Sequence, residues 1–143
     1  MMSEHILGVP KPQARPRAAC RNGKAFMYNP DSKAMKEWKL AIDATLSRHA
    51  NKKLAGAFDV TLEFYMPRPK SHYRSGKFSH IMKDDAPLEH TSKGDLDNLA
   101  KVVLDRITKC GYWQDDSQVV YLTIAKHWDD IFDAGCRIIT KVI

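Results

Sequence analysis

The stretch AFDVTLEFYM, residues 57 to 66, limits the possible folds of this chain more than any other. Phe58, Val60, Leu62, Phe64 and Met66 alternate with Asp59, Thr61 and Glu63. Successive strand side chains point to opposite faces, so this period of two lines one side of a sheet with apolar groups. That side needs a cover, and two helical stripes supply it. Met35, Trp38, Ile42 and Leu46 recur at spacings of three and four, which predicts an amphipathic helix that starts at a cap on Asn29 or Asp31, tolerates Pro30 in its first turn and runs to about Arg48. Trp38, as one member of that stripe, reads as core. Leu96, Leu99, Val103 and Ile107 mark a second helix over 97–109, with Gly111 as its stop.

Two further strand pairs follow from turn chemistry. Asn22-Gly23 is a strong hairpin signal within KPQARPRAACRNGKAFMY. VVYLTIAKHW and CRIITKVI are rich in β-formers and are joined by the acidic DDIFDAG, so they read as a closing hairpin. Residues 67–94 have little apolar content and many turn-formers, which predicts a long, mobile loop, and loops of that length tend to be functional or disordered. The order hairpin, helix, strand, loop, helix, strand, strand implies an α+β fold with two main helices packed on a mixed sheet. At 143 residues the chain suits a single domain. No apolar run approaches the ~18 residues of a membrane span, and the N-terminal MMSEHILGVPKPQARPR lacks a signal-peptide h-region, so a cytoplasmic location is expected. Cys20, Cys110 and Cys136 are scattered and form no C-x-x-C pair, which suggests neither a disulfide framework nor a zinc site.

A net charge of +6 favours an anionic partner, with nucleic acid among the possibilities. Residues 11 to 28 carry Lys11, Arg15, Arg17, Arg21 and Lys24 without a single acid. Two readings of this ribbon stand: an arm that contacts phosphates, or an edge hairpin whose cations only block aggregation. In the 67–94 loop His72, Arg74, Lys77 and His80 are further candidate phosphate contacts, and simple solvation accounts for them too.

Against this positive background, GDLDNLAKVVLDRITKCGYWQDD, residues 94 to 116, places Asp95 and Asp97 before one helix and Asp115 and Asp116 after it. Helix capping explains one aspartate and not four. Carboxylates that meet would need a cation to relieve their repulsion, and hard oxygen ligands without cysteine point to Mg²⁺ or Mn²⁺. A helix over 97–109 is roughly 20 Å long, so the pairs meet only if the following segment folds back or its strand runs alongside. An EF-hand is excluded, because counting from Asp95 puts Leu99 and Ala100 at its fifth and sixth positions and Arg106 at its twelfth. A D-x-D-x-T phosphatase would have a buried strand before the first aspartate, where this chain has HTSKG. A glycosyltransferase-like D-x-D has little support in so short a chain. Lys101, one turn after Asp97, is either half of a surface ion pair or a cation for a bound phosphate.

The D-x-D-N-L-x-K run followed across a helix by W-x-D-D-x-Q-V resembles the signature of the RusA family of Holliday junction resolvases. PKPQARPR, MPRPKSH and the overall length fit as well, so the likeness spans most of the chain. The resemblance implies a Mg²⁺-dependent endodeoxyribonuclease, with Mn²⁺ as a substitute, active in DNA recombination and repair. By it, Asp95, Asp97 and Asp116 become metal-binding catalytic carboxylates, with Asp115 an additional candidate ligand, and Lys101 becomes the essential lysine. It also implies a homodimer that cuts four-way DNA junctions by paired symmetric nicks, in the cytoplasm of a bacterial or phage-infected cell. Lys11, Arg15, Arg17, Arg21, Lys24, Arg74 and Lys77 are then the expected DNA contacts. Family members commonly carry proline or a basic residue before the first aspartate, and this chain has Gly94. The rival readings are a non-catalytic DNA-binding protein of recombination and a nuclease for flaps or other branched DNA.

Overall fold

The computed structural model describes residues 1–14, 17–28 and 31–143. Among them the elements in chain order are β1 (Met2–Leu7), β2 (Arg17–Arg21), β3 (Lys24–Tyr28), α1 (Lys33–Leu46), β4 (Phe58–Met66), α2 (Leu96–Cys110), β5 (Val119–Trp128) and β6 (Gly135–Val142). The fold is α+β with a mixed sheet and two main helices, as the hydrophobic periodicity implied.

The main sheet has the order β1-β6-β4-β5. The alternating strand β4 lies in its interior, with Phe58, Val60, Leu62 and Phe64 fully buried. It pairs antiparallel with β6 and parallel with β5, while β1 pairs antiparallel with β6. The closing hairpin expected from β5 and β6 is therefore not formed, since β4 is inserted between them. Burial gives the reason. β4 and β6 alternate buried apolar residues and gain from neighbours on both sides, whereas Val120, Tyr121 and Leu122 of β5 stay exposed and suit an edge. The long connection from β4 through α2 to β5 supplies the crossover that parallel pairing requires. β1, which the sequence reading did not assign as a strand, closes the opposite edge through pairs such as Met2 with Thr140.

Both helices lie on one face of this sheet and share its core with Trp38, Ile42, Leu46, Leu99, Val103 and Ile107. Trp38 is core, as its stripe implied. Ser32 caps α1, its Oγ accepting the Met35 N–H at 3.1 Å. Asp31 instead accepts a hydrogen bond from Lys39 Nζ at 2.8 Å, and the proposed cap Asn29 and its neighbour Pro30 lie outside the described residues. α2 ends where expected, on Gly111 in the left-handed region at φ 81°. The Asn22-Gly23 turn joins β2 to β3 with both φ angles positive, 52° and 74°, as a type I′ turn demands. The three cysteines are unpaired.

Residues 67–94 contain only the 3₁₀ turns Lys70–His72 and Gly76–Phe78 and one bridge from Tyr73 to Met82. Their anchor is Arg68. Its buried guanidinium binds Asp130 through Nε at 2.7 Å and Nη2 at 2.9 Å, donates to the Pro87 carbonyl at 2.8 Å, and lies 5.1 Å from the centre of the Trp128 ring.

Candidate metal and nucleic-acid site

Asp95 occupies the N-cap position of α2, yet its carboxylate makes no capping hydrogen bond. Asp97 follows in the first turn. Both side chains are exposed, and among the described residues neither has a hydrogen-bond or ion-pair partner. The cap reading thus explains the position of Asp95 and leaves its charge unused. Gly94 precedes it with φ 112°, a conformation that L side chains rarely adopt, so a proline or basic residue would be strained there. The turn into Asp95 is held from β5: Lys126 Nζ donates to the carbonyls of Ser92 at 3.0 Å and Gly94 at 3.1 Å. Lys126 was missed in the sequence, although one signal was there. It falls in register with buried Phe64, between Ile124 and Trp128, and so is a charge on the apolar face of the strand.

At the far end of α2 the second pair divides its tasks. Asp115 caps a 3₁₀ turn, Asp116–Gln118, by accepting the Ser117 N–H at 3.1 Å, and hydrogen bonding from Ser117 holds its carboxyl below the usual carboxylate range. Asp116 is exposed and, among the described residues, its carboxylate has no partner. Gln118, a second residue that sequence reasoning passed over, is the clamp. Its Oε1 accepts from the Gln114 and Asp115 amides, and its Nε2 donates to the carbonyls of Leu54 and Gly56. Buried Trp113 packs on Phe58 and donates to Thr108 Oγ1 at 2.7 Å. The W-x-D-D-x-Q-V run is therefore a brace that presents Asp116. Gln118→Ala removes four hydrogen bonds and is expected to cost about 1–3 kcal/mol, read as a lower urea midpoint with unchanged slope.

The two pairs do not meet within one chain. α2 has 15 residues, a rise of about 22 Å at 1.5 Å each, and β5 returns along it so that its C-terminal half, not Asp116, lies near Asp95. Among the described residues no three His, Cys, Asp or Glu side chains converge closely enough to hold a metal. Lys101 is exposed and pairs with Asp105 at 3.6 Å, not with Asp97. As a donor set, Asp95 and Asp97 fit a hard cation such as Mg²⁺, which binds through one or two carboxylates and completes its shell with water and phosphate oxygens.

The expected DNA contacts fall into two groups. Lys11 is half-buried and lines a cavity with Gly8, Ala34, Glu37 and Trp38 at the start of α1, while, two residues on, the Gln13 N–H donates to the Asn98 carbonyl in the first turn of α2 at 3.0 Å. From there the chain leads to the exposed hairpin tip with Arg21 and Lys24. Arg15 and the Arg17 side chain lie outside the described residues. Arg74 and Lys77 belong to the 67–94 segment, where Arg74 is 3.8 Å from Asp84 and Lys77 lies over the Phe78 ring. An open cavity of 670 Å³ there is lined by Lys70, Arg74, Lys83 and three serines, a surface suited to anions. His72 and His90 have another use. Both pack on Trp128, and burial pushes the His90 imidazole toward neutrality, helped by Lys126.

The α+β sheet, the carboxylates on either side of α2 and the basic hairpin correspond to a known class of DNA-cutting proteins. The chain belongs to the RusA endodeoxyribonuclease family, whose model matches residues 8–138. It is 33% identical over 126 residues to the uncharacterized protein YqaN of Bacillus subtilis (strain 168), covering 87% of this chain and 86% of that one. It is also 53% identical over 32 residues to the crossover junction endodeoxyribonuclease RusA of Escherichia coli (strain K12), a local match to 22% of this chain and 27% of that enzyme. Among the described residues no helix is long and apolar enough to cross a membrane.

Proposed function

We propose that this protein is a Mg²⁺-dependent resolvase that cuts four-way DNA junctions as a homodimer, by paired symmetric nicks, in recombination and repair. The observation that carries the reading is the pair of unpartnered carboxylates on Asp95 and Asp97 at the start of α2, where Gln13, from the segment that precedes the basic hairpin in the chain, bonds the Asn98 carbonyl. Asp95 and Asp97 would hold the cation, Asp116, at the far end of the same helix, could join them only from the other chain of the homodimer, and Asp115 keeps to its cap. A bound divalent ion, Mg²⁺ or Mn²⁺, supplies Lewis acidity for phosphodiester hydrolysis by water. The residues of the chain do the rest. The N–H groups at the start of α2 face an incoming phosphate favourably. Lys101, only loosely paired with Asp105, brings positive charge to the non-bridging oxygens as their charge grows. Arg21, Lys24, Lys11, Arg74 and Lys77 bind the backbone on either side and give affinity without sequence preference.

The test is cleavage of a mobile-core four-way junction, a flap and a linear duplex of the same sequence. Nicking of the junction in Mg²⁺ that stops in EDTA is expected. Cutting of flaps alone would keep the chemistry and change the substrate. Tight junction binding with no cutting in Mg²⁺ or Mn²⁺ would favour the non-catalytic rival.

A further inference from the structure

We infer that the cavity between the 84–89 and 129–133 loops is a docking surface for another protein, one that presents a large apolar side chain flanked by lysine or arginine. The inference does not depend on the nuclease reading and concerns the sheet face that the two helices leave bare.

The sequence supplies the first observation. In a chain of net charge +6, DDAPLE and DDIFD hold Asp84, Asp85, Glu89, Asp129, Asp130 and Asp133, six of the 17 acids, without a lysine or arginine. Each stretch also carries large apolar residues that the fold does not bury. Leu88 is 85% exposed, Ile131 87% and Phe132 38%. An apolar group left in water adds nothing to folding, whereas an exposed apolar patch rimmed by polar groups marks an interaction site.

The fold then brings the two stretches together. Leu88 and Glu89 from one, and Asp130, Ile131 and Phe132 from the other, line one open cavity of 380 Å³. Tyr65 forms its floor. It follows buried Phe64 on β4, so its ring points to the face away from the helices, where it stacks on His127 at 5.4 Å and meets Phe132 at 5.1 Å. Arg68 fixes the walls, since its guanidinium bonds both the Pro87 carbonyl and Asp130. The surface is therefore formed before a partner arrives, which lowers the ordering cost of binding.

Charge selects the occupant. Glu63 is engaged by the Tyr65 hydroxyl at 2.8 Å and by Arg137 at 3.7 Å, and Asp130 by Arg68. Glu89 and Asp133 are exposed and, among the described residues, unpaired. Free acids at the rim repel a DNA backbone and steer a cationic segment inward. The volume lies at the small end of the range for ligand sites, enough for one or two apolar side chains against the aromatic floor. A protein seated there lies across the sheet from α2 and leaves Asp95 and Asp97 free.

A random peptide library displayed on phage tests this, panned on the wild-type protein after subtraction on a Leu88→Asp, Ile131→Asp double variant. Enriched peptides should join leucine, phenylalanine or tryptophan to lysine or arginine. A synthetic peptide of the enriched sequence should bind wild type, lose affinity as salt rises, and bind the double variant about tenfold more weakly, as loss of two apolar contacts gives. Glu89→Lys should weaken the same peptide through charge alone. These side chains are exposed, so both variants should melt like wild type and cut a four-way junction as wild type does. An inactive wild type that still binds the peptide would remove the nuclease reading and support the docking surface. A library without any peptide that prefers wild type, or one that enriches acidic sequences, would overturn the inference. A four-way junction that displaces the peptide would overturn it in favour of DNA. Self-association of wild type that is lost in the double variant would overturn it in favour of a second copy.

Discussion

Asp95→Asn, Asp97→Asn and Asp116→Asn are each expected to cut four-way junctions about two orders of magnitude more slowly than wild type, or worse, while binding them at least as tightly. Asparagine preserves size and some oxygen donation but lacks the charge that retains a hard divalent cation. Loss of a negative charge near phosphates also lessens repulsion, so affinity measured in EDTA should hold or improve. All three side chains are exposed and unpartnered among the described residues, so the changes should leave thermal stability near wild type. Asp115→Asn is the contrast. It weakens a cap that accepts the Ser117 N–H and should act mainly on stability of the 114–118 turn. Lys101→Ala should lower the cutting rate far more than affinity, because its charge acts on the transition state. Three asparagine variants that cut like wild type would remove the metal reading of the cluster.

Arg68→Ala should be the most damaging single change to stability outside the apolar core. The guanidinium is almost wholly buried, bidentate to Asp130, bonded to the Pro87 carbonyl and stacked near Trp128. Removing one member of a buried pair leaves the other groups without partners. Asp130 is partly exposed and can regain water, so the expected cost is about 3 kcal/mol rather than more, or roughly 10 °C in melting temperature for a chain of this size. The pH dependence carries a signature. Hydrogen bonding to Arg68 holds the Asp130 carboxyl below its ordinary value. A depressed carboxyl stabilises the fold above its unfolded pKa of about 4 and loses that contribution as pH falls through the folded value. Wild type should therefore lose stability on acidification below about pH 4 more steeply than Arg68→Ala. Equal acid limbs for the two proteins would show that the pair contributes nothing.

Local chemistry made much of this fold readable. The Asn22-Gly23 turn, the period of two in β4 and the stop at Gly111 each depend on neighbours within a few residues, and each is where the sequence implied. Strand partnership is different. Whether β5 pairs with β6 or with β4 depends on burial contributed by distant segments, and adjacency along the chain pointed to the wrong neighbour. β1 was unreadable for the same reason, because six residues with two buried apolar positions become a strand only against β6. In the candidate site, the carboxylates were evident as an anomaly of charge. The residues that position them were less so. Gln118 and Lys126 act through carbonyls at Leu54, Gly56, Ser92 and Gly94, and such long-range backbone contacts leave little trace in composition.

The place of β6 between β1 and β4 also bears on how the molecule emerges from the ribosome. β6 comes after the other strands in chain order, yet it supplies the only sheet partner of β1 and one of the two partners of β4 among the described residues. Until residues 135–142 leave the exit tunnel, the nascent chain has an unpaired first strand and an open edge on its most apolar one. Such distant pairings are slow to form, so the sheet does not close before β6 has been made. A message truncated before β6 would yield a chain that exposes β4 and invites proteolysis. A protein built this way acquires its working shape only when synthesis has passed β6.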